Sequence, residues 1–149
     1  MRSSRQNIEI NSSADAVFRH SQDYQSRLDW DPFLKDLKFL SDESAPAIGV
    51  KVWVKSKNNM SMTVEYVSYN PPKHLAVKMI DGPFIFTTFA GVWTFREKAS
   101  KITNVEFKYN FKLKFLFDLF IGKVVKWKLD RDMNKRLLAL KEFCENESD

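Results

Sequence analysis

The apolar positions change period twice along the chain. Gln6–Ile10 alternates like a short strand and runs into Asn11-Ser12-Ser13, a cluster of helix N-cap formers, with Asp15 placed to meet a helix N-terminus. Ala14 to about Gln22 reads as a short helix with Val17 and Phe18 inward. A second short helical piece carries Tyr24, Leu28 and Trp30. It stops at Asp31-Pro32, because proline disfavours helix at the residue before it. From there the period is two. Phe33–Leu40 predicts one strand, and Val50, Val52 and Val54 mark a second. Met62, Val64 and Tyr66 mark a third, Leu75, Val77 and Met79 a fourth, and Ile85–Arg96, with Phe89 and Trp93, a fifth. Turn signals separate them at Lys57-Asn58-Asn59, Asn70-Pro71-Pro72 and Asp81-Gly82-Pro83. After Glu97–Lys101 comes the cleanest alternation. Val105, Phe107, Tyr109, Phe111, Leu113 and Phe115 lie on one face, and Glu106, Lys108, Asn110, Lys112 and Lys114 on the other. Trp53 falls among the lysines of its strand, so it is partly exposed, covered by another segment, or out of register by a bulge.

The end of the chain returns to a helical period. Ile121, Val125, Leu129, Met133, Leu137, Leu140 and Cys144 recur at steps of three or four. A helix of about 28 residues is predicted, about 42 Å long at 1.5 Å per residue. Sheet and helix must each bury one apolar face, and they do so against each other. The expected class is α+β, in one domain over residues 1–149. A cavity remains between the layers if the facing side chains do not meet.

Composition narrows the chemistry. Of 149 residues, 13 are Phe and only 4 Gly, which all but excludes glycine-rich phosphate loops. A net charge of +5 permits acidic partners without demanding them, and no nucleic acid is expected. The single cysteine, Cys144, rules out an internal disulfide and any multi-cysteine metal site. No metal or cofactor is expected. The opening MRSSRQNIEI has no apolar signal core, and the run Phe115–Val125 is too short to span a membrane; a cytoplasmic location is expected.

No catalytic constellation is visible, and no catalytic residue is assigned. His20 and His74 read as surface or capping residues, Cys144 as a buried inert thiol, and Asp29 and Asp31 as capping and turn residues. Tyr66 and Tyr109 fall on apolar faces, where a phenol needs a hydrogen-bond partner, either a ligand or the backbone. The stretch Lys108–Lys128 mixes lysines with bulky apolar residues. It reads either as a snorkelling rim or as a peripheral contact with anionic lipid headgroups.

Several segments resemble the START-like (SRPBCC) superfamily, closest to its polyketide cyclase/dehydrase and lipid-transport branch. They are Ile8–Phe18, Asp23-Tyr24 to Trp30-Asp31-Pro32-Phe33, the hairpin Gly91–Phe95 with Thr103–Phe107, and Leu137–Lys141. The segment Glu97–Lys101 departs from the family by lacking glycine. The resemblance implies a helix-grip fold: a curved antiparallel sheet of six to seven strands around the C-terminal helix, with an apolar ligand cavity between them. The residues expected to face that ligand are Val52, Met62, Val64, Tyr66, Val77, Met79, Phe89, Trp93, Phe107, Tyr109, Phe111, Leu129, Met133 and Leu137. Three functions stay open: carriage of a lipid, isoprenoid or polyketide-like molecule; a cyclase or dehydratase acting on one; and a protein-interaction module with a filled core.

Overall fold

A computed structural model describes residues 1–147. Strand β1 (Arg2–Ile10) leads into helices α1 (Ala14–Gln22) and α2 (Tyr24–Trp30). Six strands follow: β2 (Leu34–Phe39), β3 (Lys51–Ser56), β4 (Ser61–Asn70), β5 (His74–Asp81), β6 (Phe86–Ala99) and β7 (Ile102–Leu113). Helix α3 (Phe115–Asn146) ends the chain. All seven strands form one antiparallel sheet in the order β1-β7-β6-β5-β4-β3-β2. The sheet curves around α3 in the helix-grip arrangement, aided by register shifts in β2, β4 and β6.

Local chemistry accounts for the boundaries. The Ser13 side chain accepts from the Ala16 N–H and caps α1, with Asp15 in its first turn. Phe18 packs edge-on against Tyr69 and Phe95, which closes one end of the grip. In β7 the inward residues Thr103, Val105, Phe107, Tyr109, Phe111 and Leu113 are all buried.

Three details differ from the sequence pattern. Strand β1 begins at Arg2, not Gln6, and pairs from Arg2–Phe111 to Ile10–Thr103. Its inward residue there is Ser4, whose small polar side chain breaks the apolar signature. Phe115 is not the last inward residue of β7. It opens α3 and is 77% exposed. Helix α3 has 32 residues because it takes in the apolar run after Lys114. Trp53 does sit on the outer face: it pairs with Lys38, whose Nζ lies 5.2 Å from the indole centroid.

Candidate functional site

The sheet meets α3 over the helix's C-terminal half and parts from it over the N-terminal half. Met133, Leu137, Leu140 and Cys144 are fully buried, whereas Val125 and Leu129 are only partly covered. The space between is a cavity of about 370 Å³, within the usual range of small-molecule sites. Val54, Met62, Val64, Leu75 and Val77 form one wall, and Phe89, Trp93 and Phe107 the other. Trp93 and Phe107 stack with centroids 4.0 Å apart. The Tyr109 ring packs over Gly91, which also lines the chamber. The exposed lining residues are Asn58, Met60, Ser61, Val124 and Lys128, so the mouth lies between the β3–β4 turn and the first half of α3.

The opposite end is polar. Asp31 follows α2 and is 1% exposed. Its Oδ1 accepts the Phe33 N–H at 3.0 Å. Its Oδ2 accepts from Nε and Nη2 of Arg27, at 3.2 and 3.0 Å, and from Nε and Nη2 of Arg136, at 3.2 and 3.1 Å. Arg136 Nη1 donates to the Tyr109 hydroxyl at 2.6 Å, and Arg27 Nη1 to the Ser21 carbonyl at 3.1 Å. The Arg136 guanidinium lies between the Phe33 and Phe107 rings, 4.8 and 5.1 Å from their centroids. Beside it, Tyr66 donates to Gln22 Oε1 at 2.6 Å and so accepts from the Tyr24 hydroxyl. Arg27, Arg136, Gln22 and the three tyrosines all line the cavity.

Burial alone would raise the Asp31 pKa. The charges of Arg136 and Arg27 outweigh it and hold the carboxyl below its ordinary range. Burial would likewise lower the Arg136 pKa, but Asp31 and Tyr109 more than restore it. Burial raises all three phenols, Tyr66 most of all. At neutral pH the floor therefore holds two fixed cations, one fixed anion and three neutral phenols. None of these shifts brings a group near neutrality, where general acid–base catalysis works best.

The sequence matches the family described as polyketide cyclase / dehydrase and lipid transport over residues 1–145. The chain belongs to that family, within the START/SRPBCC superfamily. No curated protein matches it in sequence. Solved structures share the fold at low identity. A START superfamily protein from Mycobacterium smegmatis is 13% identical with a TM-score of 0.82, covering 98% of this chain and 99% of its own. The Zhui aromatase/cyclase from Streptomyces sp. R1128 is 15% identical with a TM-score of 0.81, covering 97% and 93%. Norcoclaurine synthase from Thalictrum flavum, solved with dopamine and hydroxybenzaldehyde, is 11% identical with a TM-score of 0.76, covering 99% and 88%. The family and its fold carry a general capacity to bind, or act on, small hydrophobic or lipid-like molecules.

Of the residues expected to face a ligand, Met62, Val64, Tyr66, Val77, Phe89, Trp93, Phe107, Tyr109 and Leu129 line the cavity. Val52, Met79, Phe111, Met133 and Leu137 do not. Val52, Phe111, Met133 and Leu137 belong to the packed core, where α3 has closed onto the sheet. Met79 turns toward Gly82, whose missing side chain makes space for its sulfur. Alternation separates inward from outward but does not report where along the strands the two layers part.

The floor was missed for a related reason. A charged residue such as Arg27 or Arg136 carries no inward signal in a hydropathy pattern, and Asp31 does turn work as expected but also joins Arg27 to Arg136, which lies 105 residues further along the chain than Asp31. Tyr66 and Tyr109 found side chains rather than backbone. His20 packs edge-on against Phe143, and His74 Nε2 shares a hydrogen bond of 3.0 Å with Ser68. Neither lines the cavity. Burial, followed by Glu145, pushes the Cys144 thiol up to about 12. Among the described residues no cluster of His, Cys, Asp and Glu is arranged to hold a metal ion, and no helix is long and apolar enough to cross a membrane.

Beside the mouth lies an exposed apolar face. Phe115, Leu116, Leu119, Phe120, Val124 and Trp127 of α3, with Phe84 from the β5–β6 turn, are all exposed, Phe120 to 77% and Trp127 to 59%. Lys114 sits over Phe84 at 3.2 Å from the ring centroid, and Lys123 lies among the apolar residues. The single acid of this segment, Asp118, pairs with Arg2 at 2.6 Å, and its carboxyl is held below the ordinary range mainly by that bond.

Proposed function

We propose that this domain binds and carries a small apolar or amphipathic molecule between the sheet and α3. The cavity carries this reading. It is walled by branched aliphatic side chains and aromatic rings, floored by polar groups and open at one end. Apolar burial would contribute about 25 cal/mol per Å² of ligand surface, and the floor would set which end enters first. Carriage fits better than turnover, because Asp31 and Tyr109 hold the proton on Arg136 and burial pushes the phenols further from neutrality. Cyclase or dehydratase chemistry is the second reading. It rests on the guanidinium–phenol floor, which is also the kind of surface that stabilises charge developing on a carbonyl oxygen.

The exposed start of α3 supports a place for loading. Rings and aliphatic side chains edged by lysines, beside the cavity mouth, suit an anionic lipid surface. The test is a native mass spectrum of the purified full chain, with thermal shifts across a panel of fatty acids, isoprenols and fused-ring phenols. Carriage predicts a bound mass that is recovered chemically unchanged, or stabilisation by at least one class. A recovered product differing from the added compound would favour the enzyme. Neither adduct nor shift would sink both readings.

A further inference from the structure

The cavity floor is not electrically balanced. Arg27 and Arg136 share one carboxylate, Asp31, buried beneath the lining. The other two charged lining residues, Lys128 and Asp132, pair with each other at 3.1 Å one helical turn nearer the mouth. One positive charge thus remains at the end of an apolar chamber, where water screens it little and an unmatched charge is costly. The hydrogen bonds are also incomplete. A guanidinium has five N–H groups. Arg136 uses three, on Asp31 and Tyr109, and Arg27 uses three, on Asp31 and Ser21. Tyr109 accepts from Arg136, and its own O–H has no acceptor among the described residues. Spare donors from two arginines and one phenol therefore sit in the lining of a single chamber.

We propose that this floor is an oxyanion site and that the carried molecule is a carboxylate with an apolar tail, its head on Arg136, Arg27 and Tyr109. The inference rests on the carriage reading above and names the ligand's head. A carboxylate brings one negative charge and acceptor-only oxygens, which match one surplus positive charge and a set of unspent donors. A phosphate dianion would overcompensate. The rings of Phe33 and Phe107 hold the Arg136 plane in place, so little ordering is needed when the head arrives. At about 30 Å³ per water-sized group, 370 Å³ holds roughly a dozen non-hydrogen atoms. Decanoate is that size.

The test uses the full chain and a neutral dye, Nile red, displaced at pH 7.5 by decanoate, methyl decanoate, decanol and decylamine. A second pair, 2-naphthoate and its methyl ester, asks the same of a fused-ring tail. Decanoate is expected to bind at least tenfold tighter than its ester and decanol, with decylamine weakest; a preference for acid over ester in either pair supports the site. Equal binding of acid and ester in both pairs overturns the oxyanion site while leaving carriage intact. Displacement by none of the six overturns carriage as well. Arg136→Met is expected to bring decanoate down to the level of the ester with decanol little changed. Should that variant fail to fold, Tyr109→Phe removes only the spare O–H and is expected to weaken decanoate severalfold without weakening decanol. An unchanged decanoate affinity in a folded Arg136→Met, or in Tyr109→Phe, would remove those residues from the site and refute the assignment.

Discussion

Replacing Asp31 with Asn tests how the floor is held together. The side chain keeps its shape and loses its charge. Asp31 Oδ2 accepts four N–H bonds of 3.0–3.2 Å from two guanidinium groups, all deeply buried. The substitution leaves both cations facing each other without a counter-ion. Removing one partner of a buried ion pair costs about 3–5 kcal/mol. Unfolding entropy is about 2.1 cal/mol/K per residue near 60 °C, so a chain of 149 residues has about 0.31 kcal/mol/K. The expected fall in Tm is then about 10–16 °C at pH 7.5, read by calorimetry or circular dichroism. The same carboxylate sets a pH dependence. Its folded pKa is depressed, so its contribution is fully present above the unfolded value of about 3.9 and is lost as pH falls through the lower folded value. The gap between wild type and Asp31→Asn should therefore narrow below about pH 4. A fall of less than about 3 °C at pH 7.5, or a gap that persists unchanged in acid, would refute the argument that Asp31 acts as the arginines' counter-charge.

Other consequences are more local. Cys144, with its thiol pushed up to about 12 and its side chain buried, should react with a disulfide reagent at pH 8 only on the timescale of unfolding; rapid labelling of the native protein would show that the helix end opens. Ser13→Ala removes the α1 cap and should cost about 0.5–2 kcal/mol in urea denaturation with m unchanged, and a zero cost would mean the cap bond contributes nothing. Phe120→Asp with Trp127→Asp should abolish sedimentation with vesicles containing phosphatidylserine and leave Nile red binding intact, because neither residue lines the cavity. Unmodified protein should lose that sedimentation as salt rises, since the lysines act through screened charge; retention by the double variant would show that docking uses another face.

How far the sequence reports this fold depends on whether position along an element matters. The alternation of β7 and the stripe of α3 say which residues face inward, and the structure agrees along nearly all of both. The same patterns do not say where two inward faces touch. Trp93 and Phe111 carry similar signatures, yet one lines the chamber and the other is packed core, because the spacing between sheet and helix is set by the whole curved surface. Arg136 was less legible still. A helical pattern assigns a charged residue to the solvent face, and only the meeting of α2's end with the middle of α3 makes burial of a guanidinium affordable. The one sequence trace was its place one step before Leu137, beside an inward stripe. Ser4 in β1 is the counterpart among small residues: buried, polar and silent in hydropathy.

The order of polarity along the chamber bears on how loading would work. At about 1.5 Å per residue, Val124 at the mouth and Arg136 at the floor are separated by about 18 Å of helix axis. The helix wall between them passes from Val124 and Val125 through Leu129, with the Lys128–Asp132 ion pair beside it, to the charged floor. An amphiphile in a lipid layer points its head toward water, and so toward any protein docked on that layer. A domain resting on its exposed rings beside the mouth would meet the head first. It would draw the head past apolar walls to the arginines, with the tail following from the lipid into the chamber. The reverse design, with an apolar floor and a charged mouth, would require the molecule to invert in water before entering. The charged floor and the exposed apolar face beside the mouth therefore suit one direction of entry. The desolvation of the head on the way in is offset only at the end, where Arg136, Arg27 and Tyr109 hold unspent donors.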